Sequence, residues 1–170
     1  MVRYAADLMI LEDRPKQWPE DDCLDTFWIM LSIICSERSD IEGVLPGRIP
    51  SKDSPYLEDG RYNPLISFLS LVSTSGGWWW VDLPEVEDEV HALTGFINAG
   101  YSKHDSWELH SVEGLSSKWW GELKNLAEKV LQKGVGGSRA KLPKKFDPCD
   151  YNEFESCQFD IDYESLDPKY

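Results

Sequence analysis

The chain has few basic residues for its number of acids. Among its 170 residues, 31 are Asp or Glu and only 17 are Lys or Arg, which gives a net charge of -14. Proteins that bind nucleic acid or anionic membranes need clustered Lys and Arg to displace counterions from phosphates. The one basic cluster, Arg139 to Lys145, is short. We therefore expect no direct binding to nucleic acid or to a membrane.

Paired cysteines and long apolar runs are also missing. The four cysteines form no CxxC pair and are too few for a disulfide scaffold. The longest apolar run, 27–35, is about half as long as a helix that spans a bilayer. The first residues carry acids where a secretory signal keeps an apolar core. We therefore expect a soluble, cytoplasmic protein whose cysteines are reduced.

Catalytic signatures are lacking as well: the chain has no HExxH, GxSxG or GxxxxGK motif. His91 lies four residues after Glu87 on a predicted helix, and His104 and His110 lie among acids further along. Because imidazole and carboxylate groups bind divalent metals, one alternative stays open, a metal-assisted hydrolase that uses His91, His104 and His110. Because the chain contains so many acids, some of them are expected to lie near histidines by chance. Our prediction is no enzyme activity, no cofactor and no metal ion.

Hydrophobic periodicity and capping residues predict an α+β fold that is mainly helical. We expect one globular domain at 1–138, then a basic hinge and an acidic, aromatic tail over 139–170, either docked on the domain or bound to a partner. The four predicted helices cover 22–37, 64–73, 84–99 and 118–133, and the first is buried at the centre. Alternating residues predict short strands, and proline and glycine predict a long loop. The strands cover 2–10 and 106–112, and the loop covers 39–62.

Two of the predicted helices carry apolar stripes. The stripes consist of Val86, Val90, Leu93 and Ile97 in one helix and of Trp119, Leu123, Leu126 and Val130 in the other. Glycine favours the left-handed conformation that often follows a helix. We therefore expect helices to stop at the pair Gly76–Gly77, at Gly100 and at Gly134.

Aromatic residues and acids occur together in two parts of the chain. Three consecutive tryptophans precede an acid-rich helix start, and residues 147–170 contain eight acids and one lysine with aromatics among them. If the tryptophans are extended, Trp79 points away from its neighbours, so at least one indole is exposed or covered by the tail. Such rings are enriched among interface hot spots. The predicted partner-binding residues are Trp78, Trp79, Trp80, Glu85, Glu87, Asp88, Glu89, Tyr151, Glu153 and Glu155.

The acidity exceeds what helix-dipole compensation requires, and it favours a surface that meets a basic partner. The predicted function is that of an acidic protein-binding inhibitor that neutralises a basic, nucleic-acid-handling partner, such as a nuclease or a nucleic-acid-bound complex. In general composition the chain resembles immunity proteins for nuclease toxins and phage-encoded anti-defence proteins, some of which mimic DNA by charge. This likeness includes no motif and assigns no residue. A second alternative is an adaptor or subunit whose tail folds into a neighbouring chain.

Overall fold

Six α-helices build the part of the chain that the structure describes. This computed structural model describes residues 22–45, 47, 49–51, 55–57, 60, 62–79 and 84–146. The helices are α1 (Asp22–Ile34), α2 (Arg38–Val44), α3 (Pro64–Trp79), α4 (Glu87–Lys103), α5 (Ser106–His110) and α6 (Lys118–Val135). Short 3-10 turns at Pro84–Val86 and Gly114–Ser116 precede α4 and α6. None of these helices is long and apolar enough to cross a membrane.

The fold is mainly helical, as predicted, but the predicted small sheet is not among the described residues. Their β-pairing is a single antiparallel bridge between Tyr56 and Tyr62. The strand expected at 2–10 lies outside the described residues. The strand expected at 106–112 is wrong, because residues 106–110 form α5.

Helix α1 lies at the centre of the packing, as predicted. Its residues Phe27 to Ile34 and the following Cys35 are all buried. A helix that is apolar all round is stable only when neighbours cover every side, and α1 contacts α2, α3 and α6. The one polar side chain in this run, Ser32, donates to the Trp28 carbonyl at 2.9 Å.

Helix α3 begins where predicted but does not end there. Asn63 caps it: the backbone N–H of Leu65 donates to the Asn63 side-chain oxygen at 3.0 Å, and Pro64 occupies the first helical position. The helix then runs through Gly76 and Gly77 to Trp79. Glycine weakens a helix by roughly 1 kcal/mol without forbidding it, and packing against α4 outweighs that loss. The tryptophans at 78 and 79 are therefore helical, which removes the premise that they alternate as in a strand.

The predicted stripe is buried, with Val90, Leu93 and Ile97 on α4 and Val86 in the turn before it. Helix α4 does not stop at Gly100, as we expected, but continues to Lys103. An added Cβ at Gly100 would lie 2.9 Å from the Nε1 and Cζ2 atoms of Trp119 on α6. This glycine therefore permits close approach of a large ring instead of ending the helix.

Two glycines of α4 should respond oppositely to the same substitution. Gly100→Ala should destabilise the domain by about 2 kcal/mol, since the buried Trp119 indole has to move. Gly95→Ala should instead stabilise it by roughly 0.5–1 kcal/mol, because an added Cβ at Gly95 has no neighbour within 4 Å and alanine favours the helix. Urea unfolding of both variants measures the difference. A Gly100 variant as stable as the wild type would show that α4 and α6 are not packed this closely.

Two segments that were predicted as a loop and as a strand contain short helices instead. The expected loop at 39–62 starts instead with α2, whose Ile41 and Val44 are three residues apart and both buried. In α5, the adjacent Leu109 and His110 are buried. In a strand, neighbouring side chains point to opposite faces of the sheet. Burial of two neighbouring residues is therefore more typical of a helix.

Helix α6 follows its prediction except at its last residues. Ser117 caps it by accepting from the Trp120 backbone N–H at 3.2 Å. Its predicted apolar face is buried, apart from the partly buried Leu126. The helix passes Gly134, the expected stop, and ends at Val135, followed by Gly136 in the left-handed conformation.

Residues 139–146, the described part of the predicted hinge and tail, pack on the helices. The Arg139 guanidinium donates to the Cys35 carbonyl at 3.0 Å, and the Ala140 backbone N–H donates to the Ser32 hydroxyl at 2.8 Å. The Phe146 backbone N–H donates to the Val44 carbonyl at 2.8 Å. These bonds tie the segment to α1 and α2. Residues 147–170 lie outside the described residues.

Candidate functional site

Six of the ten predicted partner-binding residues lie among the described residues, two of them by their backbone alone. The backbones of Trp78 and Trp79 form the end of α3. Trp80, Tyr151, Glu153 and Glu155 lie outside the described residues. Glu85, Glu87, Asp88 and Glu89 lie in the turn before α4 and in its first turn. Since a short connection joins α3 to α4 and the two helices pack together, both groups belong to the same end of this helix pair.

The four acids at the start of α4 are not equivalent. Glu85 and Asp88 are exposed, whereas Glu87 and Glu89 are half-buried. Both carboxylate oxygens of Glu89 accept from the Lys133 ammonium on α6, at 2.9 and 3.0 Å. That hydrogen bond lowers the pKa of Glu89. We call Glu85, Glu87 and Asp88 the acidic end of α4, because Glu89 serves an ion pair within the domain.

The three histidines do not meet. His91 and His104 are 13 residues apart at the two ends of α4, which corresponds to about 20 Å along a helix. The His104 Nδ1 lies 2.8 Å from a carboxylate oxygen of Glu108. His110 is buried, with its ring centroid 5.3 Å from that of Tyr101. Within the described part of the chain, no three His, Cys, Asp or Glu side chains are grouped so that they could hold a metal ion.

Cys35 is a buried free cysteine directly after α1. Burial raises the pKa of its thiol to about 12, an effect that nearby Arg139 partly opposes. A thiol that stays protonated and inaccessible is a poor nucleophile. Its position between α1 and α6, with the sulfur 3.9 Å from the Lys124 carbonyl, gives it a packing role.

Cys35 should therefore be unreactive in the folded protein. In a variant that keeps it as the only cysteine (Cys23→Ser, Cys149→Ser and Cys157→Ser), we expect no reaction with a thiol-specific disulfide reagent at pH 8. The same variant in concentrated urea should react at the rate of a free thiol. Equal rates in both conditions would contradict the burial of this side chain.

The most distinctive surface of the described residues is a set of exposed aromatic side chains. Tyr56, Tyr62, Tyr101 and Trp107 are 58%, 43%, 46% and 42% exposed. Tyr56 and Tyr62 pack edge to face with centroids 5.7 Å apart. His110 connects this pair to Tyr101: the side-chain amide of Asn63, the residue after Tyr62, donates to the His110 carbonyl at 2.9 Å, and the His110 ring centroid lies 5.3 Å from that of Tyr101. We call these four residues the aromatic patch.

A buried asparagine holds the parts of the aromatic patch together. The backbone N–H of Asn63 donates to the Pro55 carbonyl at 2.8 Å, which closes the segment that carries Tyr56 and Tyr62. Its side-chain amide donates to the His110 carbonyl at 2.9 Å, at the end of α5. Asn63 thus joins the tyrosine segment, the start of α3 and the helix that carries the tryptophan of the patch.

The C-terminal end of α5 is anchored by serine and tryptophan side chains. The Ser111 hydroxyl donates to the Trp107 carbonyl and accepts from the Gly114 backbone N–H, the latter at 3.0 Å. The Trp120 indole N–H donates to the Leu109 carbonyl at 3.3 Å. The Trp107 carbonyl also accepts from the Ser111 backbone N–H at 3.2 Å, and the Trp120 indole satisfies the Leu109 carbonyl at the helix end, so Trp107 is presented on an anchored element.

Tyr101 links α4 to this surface. It lies in the last turn of α4, and one side of its ring packs on His110. Burial raises the pKa of Tyr101 to about 12, and Tyr62 adds to the shift. At neutral pH this residue is therefore a neutral phenol, able to donate a hydrogen bond as well as to offer a ring.

Acids border the aromatic patch. Asp105, at the N-cap position of α5, is exposed, and its side chain makes no capping hydrogen bond. Glu108 lies one residue beyond Trp107, and Glu113 is exposed on the following turn. The patch therefore combines aromatic rings with carboxylates at its edge, an arrangement that suits contact with a protein surface.

Comparison of the chain with protein-family models, with curated proteins and with solved structures found no match. What the site can do therefore follows from its geometry and its chemistry.

Proposed function

We propose that the chain is an acidic binding protein that blocks a basic partner of the kind that handles nucleic acid. The observation that carries the proposal is the aromatic patch, four exposed rings on fixed elements, in a chain of net charge -14. Several exposed aromatic side chains on one domain are typical of an interaction site. Tyr and Trp are also the residues that contribute most to interface affinity.

The way the patch is held supports tight binding. Asn63, Ser111 and the Trp120 indole fix the backbone of the segments that carry the rings. A surface already in its bound conformation loses little conformational entropy on association, so more of the contact energy appears as affinity.

Charge supplies the preference for a basic partner. Residues 147–170 carry eight acids and one lysine, which is half of the net charge of the chain. The acidic end of α4 adds Glu85 and Asp88 as exposed carboxylates. Negative potential accelerates encounter with basic proteins and repels nucleic acid itself. Inhibition follows if the acidic chain occupies the surface that the partner uses for its nucleic acid.

Affinity capture from a lysate of the source organism tests this function when a second assay follows. The captured protein should be basic, and the purified chain should inhibit its nucleic-acid binding or cleavage at about one-to-one stoichiometry. A captured protein whose activity is unchanged would support the adaptor alternative instead. Stoichiometric metal in the purified chain, together with hydrolytic activity, would support the enzyme.

Neutralising the acidic end of α4 should slow association with that partner. The triple variant Glu85→Gln, Glu87→Gln and Asp88→Asn removes three negative charges without touching the Glu89–Lys133 pair. We expect a three- to tenfold lower association rate at low salt and a smaller difference at high salt, since the Debye length is about 10 Å at 0.1 M. Stopped-flow or biosensor kinetics over a salt series measure both.

The matched control carries the same charge change elsewhere. Asp40→Asn, Glu42→Gln and Glu122→Gln remove three exposed carboxylates from α2 and α6. A slower rate for the first variant alone assigns the steering to α4. Equal rates in all three proteins at every salt concentration would contradict electrostatic steering.

A further inference from the structure

The rings of the aromatic patch have faces that can contact a ligand. An edge-to-face pair occupies at most one face of either ring, so the Tyr56–Tyr62 contact leaves at least one face of Tyr62 outside that contact, and Tyr62 is 43% exposed. Tyr101 packs on His110 by one side and is 46% exposed. Trp107 is 42% exposed on α5.

The face of an aromatic ring is negative, so it attracts cations that can shed water. Arginine suits such a face better than lysine does, because its guanidinium is planar and weakly hydrated. The acids beside the rings add a second contact. Asp105 is exposed two residues before Trp107, and a carboxylate accepts two parallel hydrogen bonds from one guanidinium.

The charges of the described residues around α5 agree with this chemistry. Asp105, Glu108 and Glu113 are acidic, and Lys103 is the single Lys or Arg from 101 to 117. Arg38 of α2 adds one positive charge at the far side of this region, where its guanidinium lies 3.4 Å from the Ser116 hydroxyl. The Glu108 carboxylate already lies against the His104 ring. Asp105 and Glu113 are therefore the exposed carboxylates beside the aromatic patch. A cationic segment therefore fits here better than a neutral or an acidic one.

We propose that the aromatic patch binds arginine side chains of a basic polypeptide segment, with Tyr62, Tyr101 and Trp107 stacking on guanidinium groups and Asp105 pairing with one of them. This inference rests on the proposed function and names the contact that the partner makes. It predicts a preference for arginine over lysine at equal charge, which steering by net charge does not give.

Three peptides of one length test the preference, each with four arginines, four lysines or four citrullines in a Gly-Ser background. Citrulline keeps the planar shape of arginine without its charge. We expect the arginine peptide to bind at least threefold more tightly than the lysine peptide and the citrulline peptide to bind weakest. Aromatic NMR shifts should change at Tyr62, Tyr101 and Trp107.

Leucine variants separate ring chemistry from apolar bulk. Trp107→Leu and Tyr62→Leu should each weaken the arginine peptide about two- to fivefold, as expected for an exposed cation–π contact, and weaken the lysine peptide by a smaller factor. Trp107→Phe should restore part of the loss, and thermal melts verify that each variant is folded. The acid-neutralised α4 variant should weaken both peptides equally and keep their ratio.

Equal affinity for the arginine and lysine peptides, or NMR shifts confined to the acidic end of α4, would overturn the arginine contact and leave the proposed function standing. Concentration-dependent broadening of the patch signals without peptide would show that a second copy of the chain covers the rings, and this too would overturn it. If none of the cationic peptides binds and no basic partner is captured, the proposed function fails as well.

Discussion

Replacing Gly114 by alanine should lower the free energy of unfolding by about 3 kcal/mol, close to the upper end of what overpacking causes. An added Cβ would lie 2.5 Å from the carbonyl oxygens of both Trp107 and Glu108. These are backbone atoms, so no side-chain rotation relieves the contact, and α5 has to move away from the turn that follows it. For a chain of this size, the melting temperature should fall by roughly 6–12 °C.

Gly121→Ala is the matched control, because it makes the same substitution where an added Cβ has no neighbour within 4 Å. It should stabilise the protein by roughly 0.5–1 kcal/mol, since alanine favours the α6 helix. Movement of α5 also displaces Trp107, so the Gly114 variant should lose partner affinity at temperatures where it is still folded. A Gly114 variant with wild-type stability would contradict the close contact between α5 and the turn.

The longer helices could be predicted from sequence because their signals are local. The helix start at Asn63, a serine cap at Ser116 or Ser117 and the apolar stripe that starts at Val86 are all visible within a few residues. The structure confirms the first and the third and selects Ser117 as the cap. The helix ends could not be predicted, because the role of a glycine depends on what packs against it. Gly100 looks like a helix stop in sequence, but its neighbour is Trp119 on another helix.

The aromatic patch could not be predicted for a related reason. Its four residues are spread from Tyr56 to Trp107, and none of them belongs to a local cluster. The predicted strand at 106–112 would have set Trp107 and Leu109 on one face, whereas α5 exposes the first and buries the second. The sequence drew attention to the consecutive tryptophans instead, because clusters are visible without knowledge of tertiary packing.

Replacing Asn63 by alanine should have a comparably large effect, about 3 kcal/mol. The side chain is fully buried and makes two hydrogen bonds, one to the Leu65 backbone N–H and one to the His110 carbonyl. Loss of the α3 cap costs about 1 kcal/mol. Removal of the amide that donates to a buried carbonyl adds roughly 1–3 kcal/mol. Urea unfolding measures the sum, and Asn125→Ala, at an exposed asparagine of α6, should change stability by less than about 0.5 kcal/mol.

Asn63→Ser separates the two contributions, because a serine hydroxyl caps a helix but is too short to reach the His110 carbonyl. Its stability should lie between those of the wild type and the alanine variant, about 1 kcal/mol above the latter. Both variants should release the tyrosine segment from α5, so the NMR shifts of Tyr62 and Trp107 should change together. A serine variant with wild-type stability and unchanged shifts would show that the cap is the whole contribution of Asn63. The aromatic patch would then depend on the anchoring of α5 by Ser111 and Trp120 alone.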